Sequence, residues 1–210
     1  LHKLIDNKKL EAVGCIIFIL VVMGLIVRTI SRNIDWKNED NLWVATAKYS
    51  PSDPKTHNNL GDVYGRHGDL QMSAYEFSRA IQLNPEYAEA YNNLGNTYYD
   101  LNRTEDALIS IKKAIKLNPN YVESYYNLGN VYYRSNKNEE AIVSYKKAIQ
   151  LKPDYAKAYH NLSIVYFHKK QYKIAIQYFD QAKALGSIDP VLSDALKPYR
   201  ENDENGKWQV

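Results

Sequence analysis

Apolar and small residues return to the same columns of this chain every 34 residues. Pro51, Pro85, Pro119 and Pro153 set the period, and the strings HNNLGDVY, YNNLGNTY, YYNLGNVY and YHNLSIVY stand in register behind them. Further along each unit comes a bulky residue (Phe77, Ile111, Tyr145, Phe179), followed three positions later by Ala80, Ala114, Ala148 or Ala182. A period of this length means one supersecondary unit stacked on copies of itself. Columns 4, 7, 8 and 11, for instance Tyr91, Leu94, Gly95 and Tyr98, have the spacing of one apolar helical face. A second run carries Ala107, Ile111 and Ala114, or Ala141, Tyr145 and Ala148, on its inner face. It ends before Asn-Pro or Lys-Pro, where proline bars further helix and biases the preceding residue away from it.

The pattern predicts an all-α solenoid of helix–turn–helix units over residues 54–87, 88–121, 122–155 and 156–188. Turns are expected at His67-Gly68-Asp69, Leu101-Asn102-Arg103, Ser135-Asn136-Lys137 and Lys170-Gln171. Glycine in mid-helix costs about 1 kcal/mol relative to alanine, so Gly61, Gly95 and Gly129 mark where the partner helix approaches closely. Ser163 takes that column in the fourth unit. Counting back from Pro51 places Leu42, Trp43, Thr46 and Tyr49 in inner columns of a capping half-unit within residues 31–53, its helix capped by Asn38 with Glu39 and Asp40 in the first turn. At the other end Asp189 caps a lid helix over 189–199, with Pro190 in its first turn and Val191, Leu192, Ala195, Leu196 and Tyr199 on one face. Residues 200–210 read as a polar, disordered tail.

Ahead of the array, Ala12 to Val27 holds sixteen residues without a charge, flanked by a basic stretch over 1–11 and by Arg28 and Arg32. That is slightly short for a hydrocarbon core of ~30 Å, but Leu10, Thr29 and Ile30 extend it and Glu11 and Arg28 can snorkel. Residues 12–30 are therefore expected to form a transmembrane helix. A cleaved signal peptide would need a small-x-small site after the apolar stretch, which Val27-Arg28-Thr29 is not; a buried core helix is the other alternative. Basic residues balance on the two sides and leave the orientation open.

Composition narrows the function classes. The 27 basic and 24 acidic residues leave a net charge of +3, with no basic block, which argues against a nucleic-acid binder. Cys15 is the only cysteine, so no intrachain disulfide forms. There is no HExxH, GxSxG or Gly-rich phosphate loop, and no catalytic residue, cofactor or metal site is expected. His57, His67, His160 and His168 are scattered, whereas structural zinc needs four converging ligands.

What remains is a surface. Columns 2, 6, 9 and 13 of the first helix form a stripe opposite the apolar face: Lys55, Asn59, Asp62, Arg66; Glu89, Asn93, Asn96, Asp100; Glu123, Asn127, Asn130, Arg134; Lys157, Asn161, Ile164, His168. Asn59, Asn93, Asn127 and Asn161 repeat in register, although asparagine is a mediocre helix former and a merely solvated face would favour Glu, Lys or Gln. An amide offers one acceptor and two donors, matching a peptide backbone. The stripe is thus a candidate grip on an extended chain, with Tyr99, Tyr133 and Phe167 as apolar contacts beside it. Two sequons, at Asn102 and Asn161, would admit N-glycans in a eukaryotic lumen. A glycan on Asn161 would obstruct the stripe, so that residue is expected to be unmodified.

Across Pro54 to Leu185 the columns resemble those of the tetratricopeptide repeat, departing at His57, where a large aromatic is usual, and at Ser73, where alanine is. The resemblance implies a right-handed superhelix whose first helices line a concave surface. The asparagine ladder is similar to that of the peptide-binding superhelix of O-linked N-acetylglucosamine transferase. The order apolar helix, RTISRNIDW, LW, SP, then repeats resembles the last span and junction of transmembrane-and-tetratricopeptide protein O-mannosyltransferases, through Arg28, Arg32, Asn33, Asp35, Trp36, Leu42, Trp43 and Pro51. It implies repeats on the luminal or periplasmic side and a catalytic portion upstream of Leu1. Three readings stand: a membrane-anchored scaffold holding a protein or extended peptide, a non-catalytic fragment of such a glycosyltransferase, and a bacterial envelope or secretion assembly factor.

Overall fold

A computed structural model of the chain describes residues 16–29 and 39–204. All regular structure among them is helical: α1 over residues 16–29, then α2 (Glu39–Tyr49), α3 (Pro54–Arg66), α4 (Leu70–Leu83), α5 (Ala88–Asp100), α6 (Thr104–Leu117), α7 (Val122–Arg134), α8 (Asn138–Leu151), α9 (Ala156–His168), α10 (Tyr172–Ala184) and α11 (Pro190–Glu204). The helices pack in pairs, α3–α4, α5–α6, α7–α8 and α9–α10, and α4, α6 and α8 also pack on the first helix of the next pair. First helices of neighbouring units touch as well, α3 with α5 and α5 with α7, and so form the inner wall of the array.

Each turn and stop has a local cause. Gly68, Asn102, Asn136 and Lys170 occupy one column and all have positive φ, between 58° and 81°. This left-handed residue reverses the chain between the two helices of a unit. At the other end Asn84, Asn118 and Lys152 are extended, as residues before proline must be, and their N–H groups donate to Ala80, Ala114 and Ala148.

The core runs between the layers. Ala107, Ile111, Ala114, Ala141, Tyr145 and Ala148 are wholly buried. A Cβ on Gly95 would lie 2.5 Å from Ile111 Cγ1, and one on Gly129 would lie 2.4 Å from Tyr145 Cε1, so the bulky residue of each second helix occupies the space a side chain would need. Ser163 fits the fourth unit because its Oγ donates to Ala175 O at 2.8 Å.

The ends differ in detail from the sequence expectation. In α2, Leu42, Trp43 and Thr46 are half-buried, but Tyr49 is 83% exposed rather than inner-facing. Asp40 ties α2 to the array by accepting from Arg66 Nη2 at 2.7 Å and from His67 Nε2 at 2.8 Å. The lid α11 buries Leu192 and Leu196 and is capped by Asp189, whose Oδ1 accepts from Leu192 N at 3.0 Å. Val191 is exposed, and the helix continues to Glu204, past Tyr199 and through Pro198. Stacking of Tyr199 on Tyr172, with ring centroids 3.6 Å apart, holds the later turns against α10.

In α1 the side chains from Ile16 to Val27 are mostly more than half exposed. No helix among the described residues is long and apolar enough to cross a membrane. Residues 12–15 and 30, expected within the same span, lie outside the described residues, as does Asn38.

Candidate functional site

First helices present two polar columns to one another, and the structure joins them into a chain of amides. Asn93 Nδ2 donates to Asn58 Oδ1 at 3.2 Å, Asn127 Nδ2 to Asn92 Oδ1 at 3.1 Å, and Asn161 Nδ2 to Tyr126 OH at 3.3 Å. Each link spans 35 residues, from column 6 of one unit back to column 5 of the unit before. The column 5 partners are the buried members, Asn58 at 2% and Asn92 at 4% exposure. Asn92 also accepts from Ser124 Oγ at 3.1 Å and donates to Asn93 Oδ1 at 3.3 Å. Asn161 additionally donates to Asn130 Oδ1 at 2.8 Å, an oxygen that also accepts from Tyr145 OH at 2.8 Å.

The ladder is therefore not a row of open amides. Part of its capacity is spent between units, because helices close enough to touch must satisfy the polar groups they desolvate. Sequence periodicity located column 6 but not its partners. The signal for them was present in the doubled Asn58-Asn59 and Asn92-Asn93.

Along this inner wall runs a groove with a cavity volume of about 580 Å³. Asp62, Arg66, Asn93, Asn96, Asn127 and Asn130 border it; Asn59, Asn161, Tyr99, Tyr133, Phe167 and Arg134 are not among its lining residues. Asp62, Asn96 and Asp100 are exposed to it, and half-buried Glu123 and exposed Arg66 and Lys157 also line it, so its walls carry both signs of charge. Although its residue is exposed, the Asp100 carboxyl is partly desolvated by the groove walls and so is raised from its ordinary value, against the opposing pull of Arg134.

Tyr121, Tyr126 and Tyr155 supply an aromatic wall that the stripe did not include. Tyr126 and Tyr155 meet edge to face, with centroids 5.5 Å apart. Burial, with Glu123 adding to it, pushes the Tyr155 phenol up to about 12. Tyr121 and Tyr155 stand just before a first helix at the repeat period, which was their sequence signal.

The remaining expected contacts lie at one edge of the array. Arg134 stacks over Tyr99, with its guanidinium carbon 3.4 Å from the ring centroid, and donates to Tyr99 O and Asn102 Oδ1. Tyr133 stacks on His168, and Phe167 packs edge-on against Tyr172 and Tyr199. These rings are engaged in holding units and lid together.

The histidines among the described residues have structural partners. His57 is buried between Glu76 Oε2 at 2.6 Å and Pro51 O at 2.9 Å, and His160 Nε2 meets Asp189 Oδ2 at 2.8 Å. Among the described residues no group of three or more His, Cys, Asp or Glu could hold a metal ion.

Stacked helical pairs with small residues at their crossings and a polar inner wall define a helical-repeat solenoid. Family descriptions match it directly: TPR repeat at residues 67–102, 95–136 and 129–170, and Tetratricopeptide repeat at residues 156–186. Together these cover more than half of the chain, which belongs to the tetratricopeptide repeat family.

Among curated proteins it is similar to a protein O-mannosyl-transferase of Caenorhabditis elegans, 32% identical over 72 residues, which are 34% of this chain and 10% of that protein. It is also similar to protein O-mannosyl-transferase Tmtc2 of Drosophila melanogaster, 29% identical over 82 residues, which are 39% of this chain and 8% of that protein. The matched stretches thus span about a tenth or less of those relatives. Among solved structures, MamA superposes with a TM-score of 0.61 at 29% identity, covering 68% of this chain and 84% of that one. PilF of Pseudomonas aeruginosa superposes with a TM-score of 0.70 at 20% identity, covering 86% and 83%, a likeness of fold.

Proposed function

We propose that the chain is a membrane-anchored scaffold that holds an extended polypeptide along the inner wall of its repeats. The observation that carries this reading is the 580 Å³ groove, in which exposed Asn96, Asp62 and Asp100 face an aromatic wall of Tyr121, Tyr126 and Tyr155. Amides and carboxylates there pair with backbone N–H groups, and ring faces take side chains of any sequence. Asn93, Asn127 and Asn130 shape the floor and keep some capacity for a guest beyond their links to each other.

Anchoring rests on α1. A run of consecutive apolar side chains on one helix, nearly all of them exposed, calls for a lipid or protein environment. With the apolar residues on either side of the described segment it would span a bilayer, and the repeats would lie outside the membrane on the luminal or periplasmic side. A second reading is favoured by the two curated relatives: the chain is the non-catalytic repeat portion of a protein O-mannosyltransferase, presenting acceptor polypeptide to a catalytic part elsewhere.

The test uses the full chain in detergent micelles and a fluorescent, reduced and carboxymethylated polypeptide that cannot fold. Binding is expected, weakened by about 1 kcal/mol for each of Asn96→Ala, Asp62→Ala and Asp100→Ala, without a change in melting temperature. Affinity unchanged by all three together would remove the groove as the binding surface.

A further inference from the structure

The outer face of the second helices carries a pattern that the groove does not use. Tyr75, Ile109 and Val143 stand 34 residues apart on α4, α6 and α8 and are 56%, 68% and 67% exposed. Single exposed apolar residues are ordinary, but one per helix in the same column makes a row. On α6 the row residue is centred between Glu105 and Asp106, four and three positions before it, and Lys112 and Lys113, three and four after it. On α8 Val143 is centred in the same way between Glu139 and Glu140 and Lys146 and Lys147. Helical spacing puts all of these on the face that bears the apolar residue. Asp106 and Glu139 also meet Arg103 and Lys169 of their own chain, Lys112, Lys113 and Lys146 lie near the rings of Tyr132, Tyr91 and Tyr166, and Lys147 donates to Gln150; contacts of these long side chains at the surface contribute little and can be exchanged. On α4 and α10 the charge pattern is absent, with Gln71, Met72, Ser78 and Arg79 in those columns of α4 and Lys173, Ile174, Asp180 and Gln181 in those of α10.

We propose that this face binds a second copy of the chain about a two-fold axis lying along the row Tyr75, Ile109, Val143. Such an axis, crossing the helices at right angles, sets α6 antiparallel on its copy and α8 antiparallel on its copy. Ile109 then meets Ile109, and Val143 meets Val143. The acidic pair at each helix start faces the basic pair beyond the centre of the same helix in the other copy. A two-fold interface must be self-complementary, and a helix whose charges are antisymmetric about an exposed apolar residue satisfies that condition by itself. A lipid surface or an acidic protein would match the lysines but leave Glu105, Asp106, Glu139 and Glu140 facing like charge. The inference is independent of the groove, which lies on the opposite side of the array.

The test uses the full chain in detergent, diluted so that micelles hold one chain by chance, with Cys15→Ser as background. Ile109→Cys is expected to oxidise to a disulfide-linked dimer at least tenfold faster than Ile188→Cys, a still more exposed control that follows α10. Lys112→Glu with Lys113→Glu, added to Ile109→Cys, should abolish that cross-linking, and so should Glu105→Lys with Asp106→Lys. Mixing these two charge variants should restore it as a heterodimer, since the α6 positions are then all acidic in one copy and all basic in the other, while α8 is unchanged. Circular dichroism melts check that each variant is folded. Equal rates at positions 109 and 188, no restoration on mixing, or capture of the monomer through this face by phosphatidylserine vesicles would each overturn the proposal.

Discussion

Asn127 reaches back one unit and one residue to donate to Asn92 Oδ1 at 3.1 Å, and of the two the acceptor is the buried one. Asn92 has three hydrogen-bonding neighbours, Asn93, Ser124 and Asn127, whereas exposed Asn96 one turn further on faces the groove. Losing a buried acceptor leaves its donors unsatisfied, at a cost of about 1–3 kcal/mol, while an exposed polar change stays within about 0.5 kcal/mol. Asn92→Ala should therefore lower the melting temperature by several degrees, and Asn96→Ala should leave it in place. Equal melting temperatures for the two variants would mean that the amides between units do not hold the array.

Gly129 and Tyr145 test the crossing inside a unit. The ring of Tyr145 is wholly buried over the glycine, so Gly129→Ala forces an overlap with a side chain that has nowhere to go. Overpacking of this kind costs about 1–3 kcal/mol. Combining Gly129→Ala with Tyr145→Leu should recover part of that loss, giving a coupling energy that denaturant melts of both singles and the double can read. Strictly additive effects would show that the close approach is not the reason for glycine.

Much of this was legible in the sequence because the repeat averages over four copies. Period, helix stops before Pro85, Pro119 and Pro153, the turn column and the close approach at glycine all follow from backbone rules that neighbours do not override. The site was less legible. A polar residue on the inner wall can face solvent or the next helix, and helical spacing is the same for both, so the repeated column of Asn93 and Asn127 stands out in the sequence while their buried acceptors Asn58 and Asn92 do not. The ends were harder still, since Tyr49 and Val191 have a unit on one side only, and a column that is inner within the array is open there.

Lys170 is the weak member of the turn column. Its φ is 58°, where Gly68 and the asparagines of the other units pay little and a lysine loses about 1 kcal/mol or more. Lys170→Gly should stabilise the fourth unit by about 0.5–1 kcal/mol, visible as slower amide exchange in α9 and α10. Glycine at an ordinary φ would instead destabilise through its greater freedom when unfolded, so the sign of the change decides the matter.

Alkaline stability should be limited by the tyrosines inside the array. Burial raises the Tyr145 phenol well above its ordinary value, against a lowering hydrogen bond from Asn161, and Tyr155 is pushed up to about 12 by burial. An unfolded phenol titrates near ~10, so above that pH the unfolded chain releases protons that the folded one keeps. Stability is then full below about pH 10 and falls as the pH rises toward the folded values, because the folded state binds more protons throughout that window. Melting temperatures taken from about pH 8 to 12 should drop steeply in the upper half, together with the rise in tyrosinate absorbance. Tyr145→Phe should start lower at neutral pH, having lost its bond to Asn130 Oδ1, yet fall less over the same range. Parallel curves for the two proteins would place the alkaline transition elsewhere in the chain.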